Sequence, residues 1–253
     1  MDIKENDKLF GLLGRNISYS FSRGYFAEKF DLLELEDHKY VNFDIKDINH
    51  LFPLIEKYKN QLKGFNVTIP YKEEVIPFLD KMDKKAAKIG AVNTIRVTKK
   101  GKLKGYNTDF YGFKKSLKPL VNPSHKKALI LGTGGASKAV AFALKEMNIE
   151  VSFVSRKKEK ENSFTYEELN ESVINSYQII INCTPLGTHP NVDVCPNIPY
   201  QYLGSSHILY DLIYNPSKTL FLKKGEDQGA IIKNGLEMLE LQAEKAWRIW
   251  QKS

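Results

Sequence analysis

The chain has little of what marks metal sites, disulfide frameworks or membrane spans. Of its 253 residues only two are cysteines, Cys183 and Cys195, and they form no C-x-x-C pair. The histidines, His38, His50, His125, His189 and His207, show no H-E-x-x-H spacing and no grouping with the cysteines. Neither a metal site nor a structural disulfide is therefore expected. No apolar run approaches the roughly 18 residues that span a bilayer. Residues 1–8 are charged and lack the apolar stretch of a secretory signal. The expectation is a cytoplasmic protein with no membrane partner. Internal repeats and low-complexity segments are also absent.

Lysine and arginine number 38 against 30 acids, a formal charge of +8. The basic residues are scattered among acids rather than massed, and no zinc-finger or aromatic RNA-binding signature accompanies them. A solvated lysine-rich surface explains the balance without nucleic acid. An anionic small molecule suits it equally. The composition, 42% hydrophobic and 27% charged, is that of a chain able to bury a core.

Short apolar runs alternate with helical patterns. Strands are expected at 8–13, 40–45, 62–68, 94–97 and 103–106, with helices at 25–35, 48–59 and 110–117. This alternation indicates βαβ units and a mainly parallel sheet. The segment Lys118-Pro119-Leu120-Val121-Asn122-Pro123-Ser124 breaks the pattern. Strands at 127–131, 150–155, 178–182 and 208–212 follow, with helices at 136–147 and 236–251.

The strand at 127–131 runs straight into Gly132-Thr133-Gly134-Gly135-Ala136-Ser137. A strand, a glycine turn and a helix N-terminus make a phosphate site. Glycine lets the backbone approach a pyrophosphate, and the free N–H groups and helix dipole bind it. Ser137 stands where the third glycine of G-x-G-x-x-G belongs. The competing reading is an ordinary strand-to-helix turn. The end of the second strand separates the nicotinamide cofactors. An NAD site places Asp or Glu there for the ribose 2′-hydroxyl. This chain has Ser155-Arg156-Lys157-Lys158, with Lys160 close by. A planar guanidinium suits a 2′-phosphate, so NADP is the expected cofactor. A solvated basic loop is the alternative.

Three segments before the glycine loop hold polar groups that a core does not need. The first is 14–22, with Ser18, Ser20 and Ser22, and it reads either as a ligand loop or as a serine-rich helix cap. The second delivers Asn66, Thr68 and Lys72 to one strand end. A lysine beside a carbonyl can donate and recover a proton, although most lysines are surface groups. The third comprises 90–94, with Asn93, and 105–109, where Asp109 could hold Lys72 in place. Each alone also reads as a turn or cap.

Taken together these segments resemble the shikimate dehydrogenase family. The motifs are Ser20-x-Ser22, Asn66-Val67-Thr68-x-Pro70-x-Lys72, Ala91-Val92-Asn93-Thr94 and Asn107-Thr108-Asp109. Further along come 132–137, Asn182-x-Thr184-Pro185-x-Gly187, Tyr210-Asp211-x-x-Tyr214 and Asn234-Gly235-Leu236-x-Met238-Leu239-x-x-Gln242-Ala243. The likeness runs over nearly the whole chain in one order.

The resemblance implies an oxidoreductase of aromatic amino acid and chorismate biosynthesis that reduces 3-dehydroshikimate to shikimate with NADPH. It implies an α/β fold of two domains flanking a cleft. A parallel or mixed-sheet substrate domain would cover 1–112, and a doubly wound Rossmann domain for NADP 113–233. A helix at 234–253 would return to the first domain. Lys72 would transfer the proton with Asp109 beside it. Ser20 and Ser22 would hold the carboxylate. Thr68, Asn93, Asp109 and Gln242 would bind ring hydroxyls, and Tyr214 would reach the substrate. Gly132, Thr133, Gly134, Gly135, Ala136 and Ser137 would bind the pyrophosphate, and Ser155, Arg156 and Lys160 the 2′-phosphate. Thr184, Ile213 and Gly235 would line the nicotinamide pocket. The protein is expected to work as a monomer or homodimer.

Two positions depart from the usual family pattern. Tyr19 replaces a frequent histidine in the opening motif, and Ser155-Arg156-Lys157 replaces Asn-Arg-Thr. A relative acting on quinate as well, or a ligand sensor without turnover, shares the motifs. The Tyr-x-x-x-Lys spacing of short-chain dehydrogenases occurs at Tyr25–Lys29, before the glycine loop, and at Tyr214–Lys218, across Pro216. Neither place suits that chemistry.

Overall fold

The computed structural model describes residues 3–18, 20–158 and 163–252. They form two compact units. One holds the chain up to Thr108 and again from Ala243; the other runs from Asp109 to Gln242. The first division thus falls at Thr108 rather than at 112. The reason is local: Thr108 N donates to Asn93 Oδ1 at 2.6 Å, tying it to the first unit. The next helix sends Phe113 and Leu117 into the core of the second unit instead.

The first unit carries strands β1 (Lys8–Gly14), β2 (His38–Asp44), β3 (Leu62–Val67), β4 (Lys81–Met82), β5 (Thr94–Val97) and β6 (Leu103–Tyr106). Their order in the sheet is β2-β1-β3-β5-β6-β4. The pairs β1–β2 and β1–β3 are parallel, while β3–β5 and β5–β6 are antiparallel. Beyond Lys8 every residue of β1 is buried, as befits a central strand covered on both faces. Helix α1 (Phe21–Leu32) makes the crossover from β1 to β2, and α2 (Leu51–Lys57) that from β2 to β3. The helix expected at 48–59 opens as a 3-10 turn, and α2 proper starts at Leu51. That start leaves Pro53 in the first turn, where its missing N–H costs no bond. A short α3 (Lys84–Ile89) precedes β5 and closes on Gly90 at φ 73°.

The second unit starts with α4 (Asp109–Leu117) and continues through β7 (Lys127–Leu131), α5 (Gly135–Lys145), β8 (Glu150–Ser155) and β9 (Ser163–Thr165). Then come α6 (Glu171–Ser176), β10 (Ile179–Asn182), β11 (Ile208–Asp211), α7 (Leu220–Asp227), β12 (Ile231–Lys233) and α8 (Leu236–Trp250). The sheet order is β12-β11-β10-β7-β8-β9, parallel throughout. Numbered within the unit from β9, this is 3-2-1-4-5-6, the doubly wound dinucleotide-binding order. The apolar strands β7, β10 and β11 are sandwiched between two clusters. One includes Phe113, Val140, Leu144 and Tyr210; the other includes Leu129, Ile180, Leu209 and Phe221.

Helix α8 changes unit along its length. Up to Gln242 it belongs to the second, where Gly112 of α4 lies so close that a Cβ there would stand 2.4 Å from Met238 O. From Ala243 it belongs to the first, and Ala243, Ala246, Ile249 and Trp250 share a core with Phe10, Phe26, Phe30 and Tyr40. Trp250 Nε1 donates to Ile95 O at 2.9 Å, with the indole laid against Gly64. Among the described residues no helix is long and apolar enough to cross a membrane.

Two glycines of the first unit predict opposite outcomes. A Cβ on Gly64 would stand 2.3 Å from Trp250 Cδ1, whereas one on Gly24, inside α1, meets nothing within 4 Å. Gly64→Ala should destabilise by about 1–3 kcal/mol through overpacking. Gly24→Ala should stabilise by about 0.5–1 kcal/mol through helix propensity. Denaturant unfolding of the two variants against the parent checks both signs.

Candidate active site

The strand order of the second unit reverses between β7 and β10, and ligands of doubly wound sheets bind beyond the carboxyl ends at that point. The loop after β7 is built for close approach. Gly132 sits at φ 98°, and a Cβ there would lie 3.1 Å from Thr184 Cγ2 and 3.4 Å from the Cys183 backbone. Gly134 caps α5 from extended backbone, and a Cβ on it would meet no protein atom within 4 Å. The space beside Gly134 is thus open where the first-turn N–H groups of α5 point outward, as a pyrophosphate requires. Ser137 fits the third-glycine position by turning inward: it is buried and its Oγ donates to Gly134 O at 2.6 Å.

Beyond β8, Ser155 Oγ donates to Lys157 O and closes the turn. Arg156 is exposed and has no ion pair among the described residues. Lys158 is engaged by Glu168 at 2.9 Å. Residues 156–158, directly after the strand, include no acid, so the residues present there fit a 2′-phosphate better than a free 2′-hydroxyl. Lys160 lies outside the described residues, as does Tyr19.

Thr184, Ile213 and Gly235 are brought together by a buried polar knot. Asn182 Oδ1 accepts from Thr184 N at 3.0 Å and from Thr184 Oγ1 at 2.6 Å. Its Nδ2 donates to Asp211 Oδ1 at 3.1 Å. Asp211 Oδ1 also accepts from Ile213 N at 3.0 Å, and its Oδ2 from Thr219 Oγ1 at 2.6 Å. Gly235 N donates to Ile213 O at 3.0 Å, and a Cβ on Gly235 would sit 2.1 Å from Leu212 O. Asp211 is fully buried. Desolvation pushes its carboxyl up to about 6, against the bonds from Thr219, Ile213 and Asn182 that hold it down. Asn182, Asp211 and Thr219 carried no role in the sequence reading. A polar residue closing a strand looks the same whether it caps a turn or supports a site.

In the first unit the candidate substrate groups stand on loops after β1 and β3 and on the β5–β6 hairpin. Ser20 caps α1 by accepting from Arg23 N at 3.3 Å, and Ser22, two residues on, is buried. Thr68 follows β3 and is bound to β1 through Thr68 N and Leu13 O at 2.9 Å. Lys72 is half-buried, its carbonyl accepting from Val92 N at 2.7 Å. Its neighbour Tyr71 is anchored in the core and donates to Ile45 O at 2.7 Å. Asn93 is buried, with Nδ2 donating to Thr108 Oγ1 at 3.0 Å.

Within 12–95 the chain matches the model of the shikimate dehydrogenase substrate binding domain. It is 38% identical to a shikimate dehydrogenase (NADP(+)) of Methanococcus maripaludis, over 98% of this chain and 93% of the relative. The chain belongs to the shikimate dehydrogenase family. Its structure is similar to that of shikimate dehydrogenase from Aquifex aeolicus, with TM-score 0.87 and 35% identity over 99% of this chain and 94% of that one. It is also similar to shikimate 5-dehydrogenase from Thermus thermophilus in complex with NADP(H) and shikimate. There the TM-score is 0.84 and the identity 31%, over 96% of this chain and 93% of the other.

Against the family's expected site, Ser20, Ser22, Thr68, Lys72 and Asn93 belong to the first unit. The glycine loop, Arg156, Thr184, Ile213 and Gly235 belong to the second. So do Asp109, Tyr214 and Gln242. Asp109 is the buried first residue of α4. Tyr214 is half-buried, which raises its phenol above the ordinary range. Gln242 is buried, with Nε2 donating to Leu239 O at 2.9 Å.

Asp211 makes stability depend on pH in a direction opposite to that of a salt-bridged acid. Its folded value, about 6, lies above the ordinary 3.8, so the fold favours the protonated form. That contribution is complete below 3.8 and is lost as pH rises through about 6. Asp211→Asn should remove a decline on the order of 2–3 kcal/mol between those pH values. Unfolding free energies of parent and variant from pH 3.5 to 7.5 check it.

Proposed function

We propose that the protein catalyses the reversible NADP-dependent reduction of 3-dehydroshikimate to shikimate. The observation that carries this reading is the likeness, over 96% of the chain, to the Thermus enzyme that holds both NADP(H) and shikimate. The chemistry of the two units supports it. The second presents an open glycine cradle, an exposed guanidinium and no acid at 156–158, directly after β8. The first carries Ser20, Ser22, Thr68 and Asn93 together with a half-buried lysine, Lys72.

In this reading Gly132–Ser137 seat the pyrophosphate, with Arg156 and Ser155 on the 2′-phosphate and Lys160 near them. Thr184, Ile213 and Gly235 shape the nicotinamide pocket. Bound NADPH supplies the hydride. Ser20 and Ser22 hold the carboxylate, while Thr68, Asn93, Asp109 and Gln242 take the ring hydroxyls and Tyr214 reaches the ring. Lys72 stabilises negative charge growing on the carbonyl oxygen and gives it a proton; in the oxidising direction it takes the hydroxyl proton back. Asp109 orients Lys72. A cytoplasmic location goes with this biosynthetic substrate.

The test is direct. The protein should reduce NADP with shikimate, followed by cofactor absorbance, and quinate serves as the comparison substrate. Lys72→Ala should lower kcat by about 10²- to 10⁴-fold with NADP affinity nearly unchanged. Lys72→Arg should not restore it, because guanidinium does not release a proton at working pH. A change in KM alone would make Lys72 a binding group. Arg156→Ala should weaken NADP binding by about 1–3 kcal/mol and remove the preference over NAD. A parent that prefers NAD contradicts the assignment of Arg156.

A further inference from the structure

Thr184, Ile213 and Gly235 lie on three loops of the second unit, and their hydrogen bonds lead back to one side chain. That side chain is Asp211, the last residue of β11 and fully buried. Its Oδ1 accepts from Ile213 N at 3.0 Å and from Asn182 Nδ2 at 3.1 Å, and its Oδ2 accepts from Thr219 Oγ1 at 2.6 Å. The donors belong to separate segments: the loop after β11, the end of β10 and the N-cap of α7.

Two arms run from the carboxyl group. Through Asn182 it reaches Thr184. A main-chain N–H can only donate, so Asn182 Oδ1 is the atom that accepts from Thr184 N at 3.0 Å, and Nδ2 is left to face Asp211. The same Oδ1 accepts from Thr184 Oγ1 at 2.6 Å, and that hydroxyl in turn accepts from Leu186 N at 3.3 Å. The Thr184 hydroxyl is thus engaged as donor and as acceptor. Its methyl lies toward the glycine turn, where a Cβ on Gly132 would stand 3.1 Å from Thr184 Cγ2. Through Ile213 the carboxyl reaches Gly235. Ile213 is held at its N–H by Asp211 and at its carbonyl by Gly235 N, at 3.0 Å each. Asn182, Asp211 and Thr219 are fully buried, so removing one leaves a buried donor or acceptor without its partner. The phosphate end of the cofactor site is fixed separately. Gly132 N donates to Val154 O at 2.8 Å and Ser137 Oγ to Gly134 O at 2.6 Å, and neither bond involves Asp211.

We propose that Asp211 is a positioning residue for the nicotinamide end of the cofactor. It holds Thr184, Ile213 and Gly235 in one arrangement, and it does so by accepting hydrogen bonds rather than by its charge. The proposal rests on the assignment of those three residues to the nicotinamide pocket made under the proposed function. Removing a carboxyl that served the fold alone would weaken both ends of the cofactor site alike. Removing one that serves this pocket leaves the phosphate end intact. An amide can take its place, since its oxygen accepts from Ile213 N and Asn182 Nδ2 while its nitrogen donates to Thr219 Oγ1.

Two ligands separate the ends. NADPH is titrated by the fluorescence of its reduced nicotinamide. Adenosine 2′,5′-bisphosphate, titrated by calorimetry, keeps the 2′-phosphate and lacks the nicotinamide. Asp211→Ala should raise the NADPH Kd about tenfold and leave that of the bisphosphate within about twofold. Asp211→Asn should leave both within about twofold of the parent. Unchanged NADPH affinity in folded Asp211→Ala, an equal loss of both ligands, or a loss in Asp211→Asn as large as in Asp211→Ala overturns the proposal. Should Asp211→Ala not fold, Asn182→Ala removes the arm to Thr184 and leaves the carboxyl in place. The same split between the two ligands is expected there, and no loss or an equal loss overturns the claim. A parent that binds neither ligand overturns the cofactor assignment and this proposal together. A parent that binds NADPH but does not oxidise shikimate overturns the catalytic assignment alone, because the titrations judge Asp211 without turnover.

Discussion

Strands β1, β7, β10 and β11 are buried on both faces, and that burial decides where polar chemistry can sit. A strand with no solvated face must be covered by helices on each side. It is then joined to parallel neighbours by crossovers that return to the same end of the sheet. The loops at the carboxyl ends are what remains for polar groups. In the first unit they carry Ser20, Ser22, Thr68 and Lys72. In the second they carry the glycine turn and the segments holding Thr184 and Ile213. Hydrophobic burial and the location of the candidate site are in this sense one fact.

Much of the fold was legible because turns bracket its strands. The strands at 94–97, 103–106, 127–131 and 150–155 stand in the structure at the residues read from the sequence. Gly101 and the glycine turn at 132 mark ends of two of them with positive φ. Helices α3, α6 and α7, and strands β4, β9 and β12, escaped the reading. They run only two to eight residues. Over six residues a 3.6-residue period completes fewer than two turns, so no periodic signal separates a short helix from a loop. Their shape comes from caps and neighbours, as when Thr219 accepts from Leu222 N at the start of α7.

The candidate site divides the same way. Glycines 132 and 134 and the lack of an acid at 156–158 are visible in sequence because each answers a demand of backbone geometry or charge. Asn66, Asn182 and Asp211 stand out in sequence as motif residues, but their work, like that of Tyr40, depends on partners far along the chain. Tyr40 meets Asn66, and Asn182 meets Asp211, only once the sheets form. In a strand a tyrosine reads as core, and at a strand end an aspartate reads as a cap. Both networks are fully buried and hold side chains or loops that the functional reading assigns to ligand binding. Their contribution is rigidity, purchased at the desolvation cost seen in the raised carboxyl of Asp211.

The central claim is that the reversal of strand order between β7 and β10 is the seat of the cofactor. Gly134 offers the cleanest access to it, since its φ of −71° accepts any side chain and a Cβ there touches no protein atom within 4 Å. A valine at that position leaves the fold's own contacts alone and fills the space assigned to pyrophosphate. Calorimetric titration of Gly134→Val with NADP should show at least about a tenfold loss of affinity. Its melting temperature should stay within about 3 °C of the parent. Parental NADP affinity in the folded variant would contradict the account.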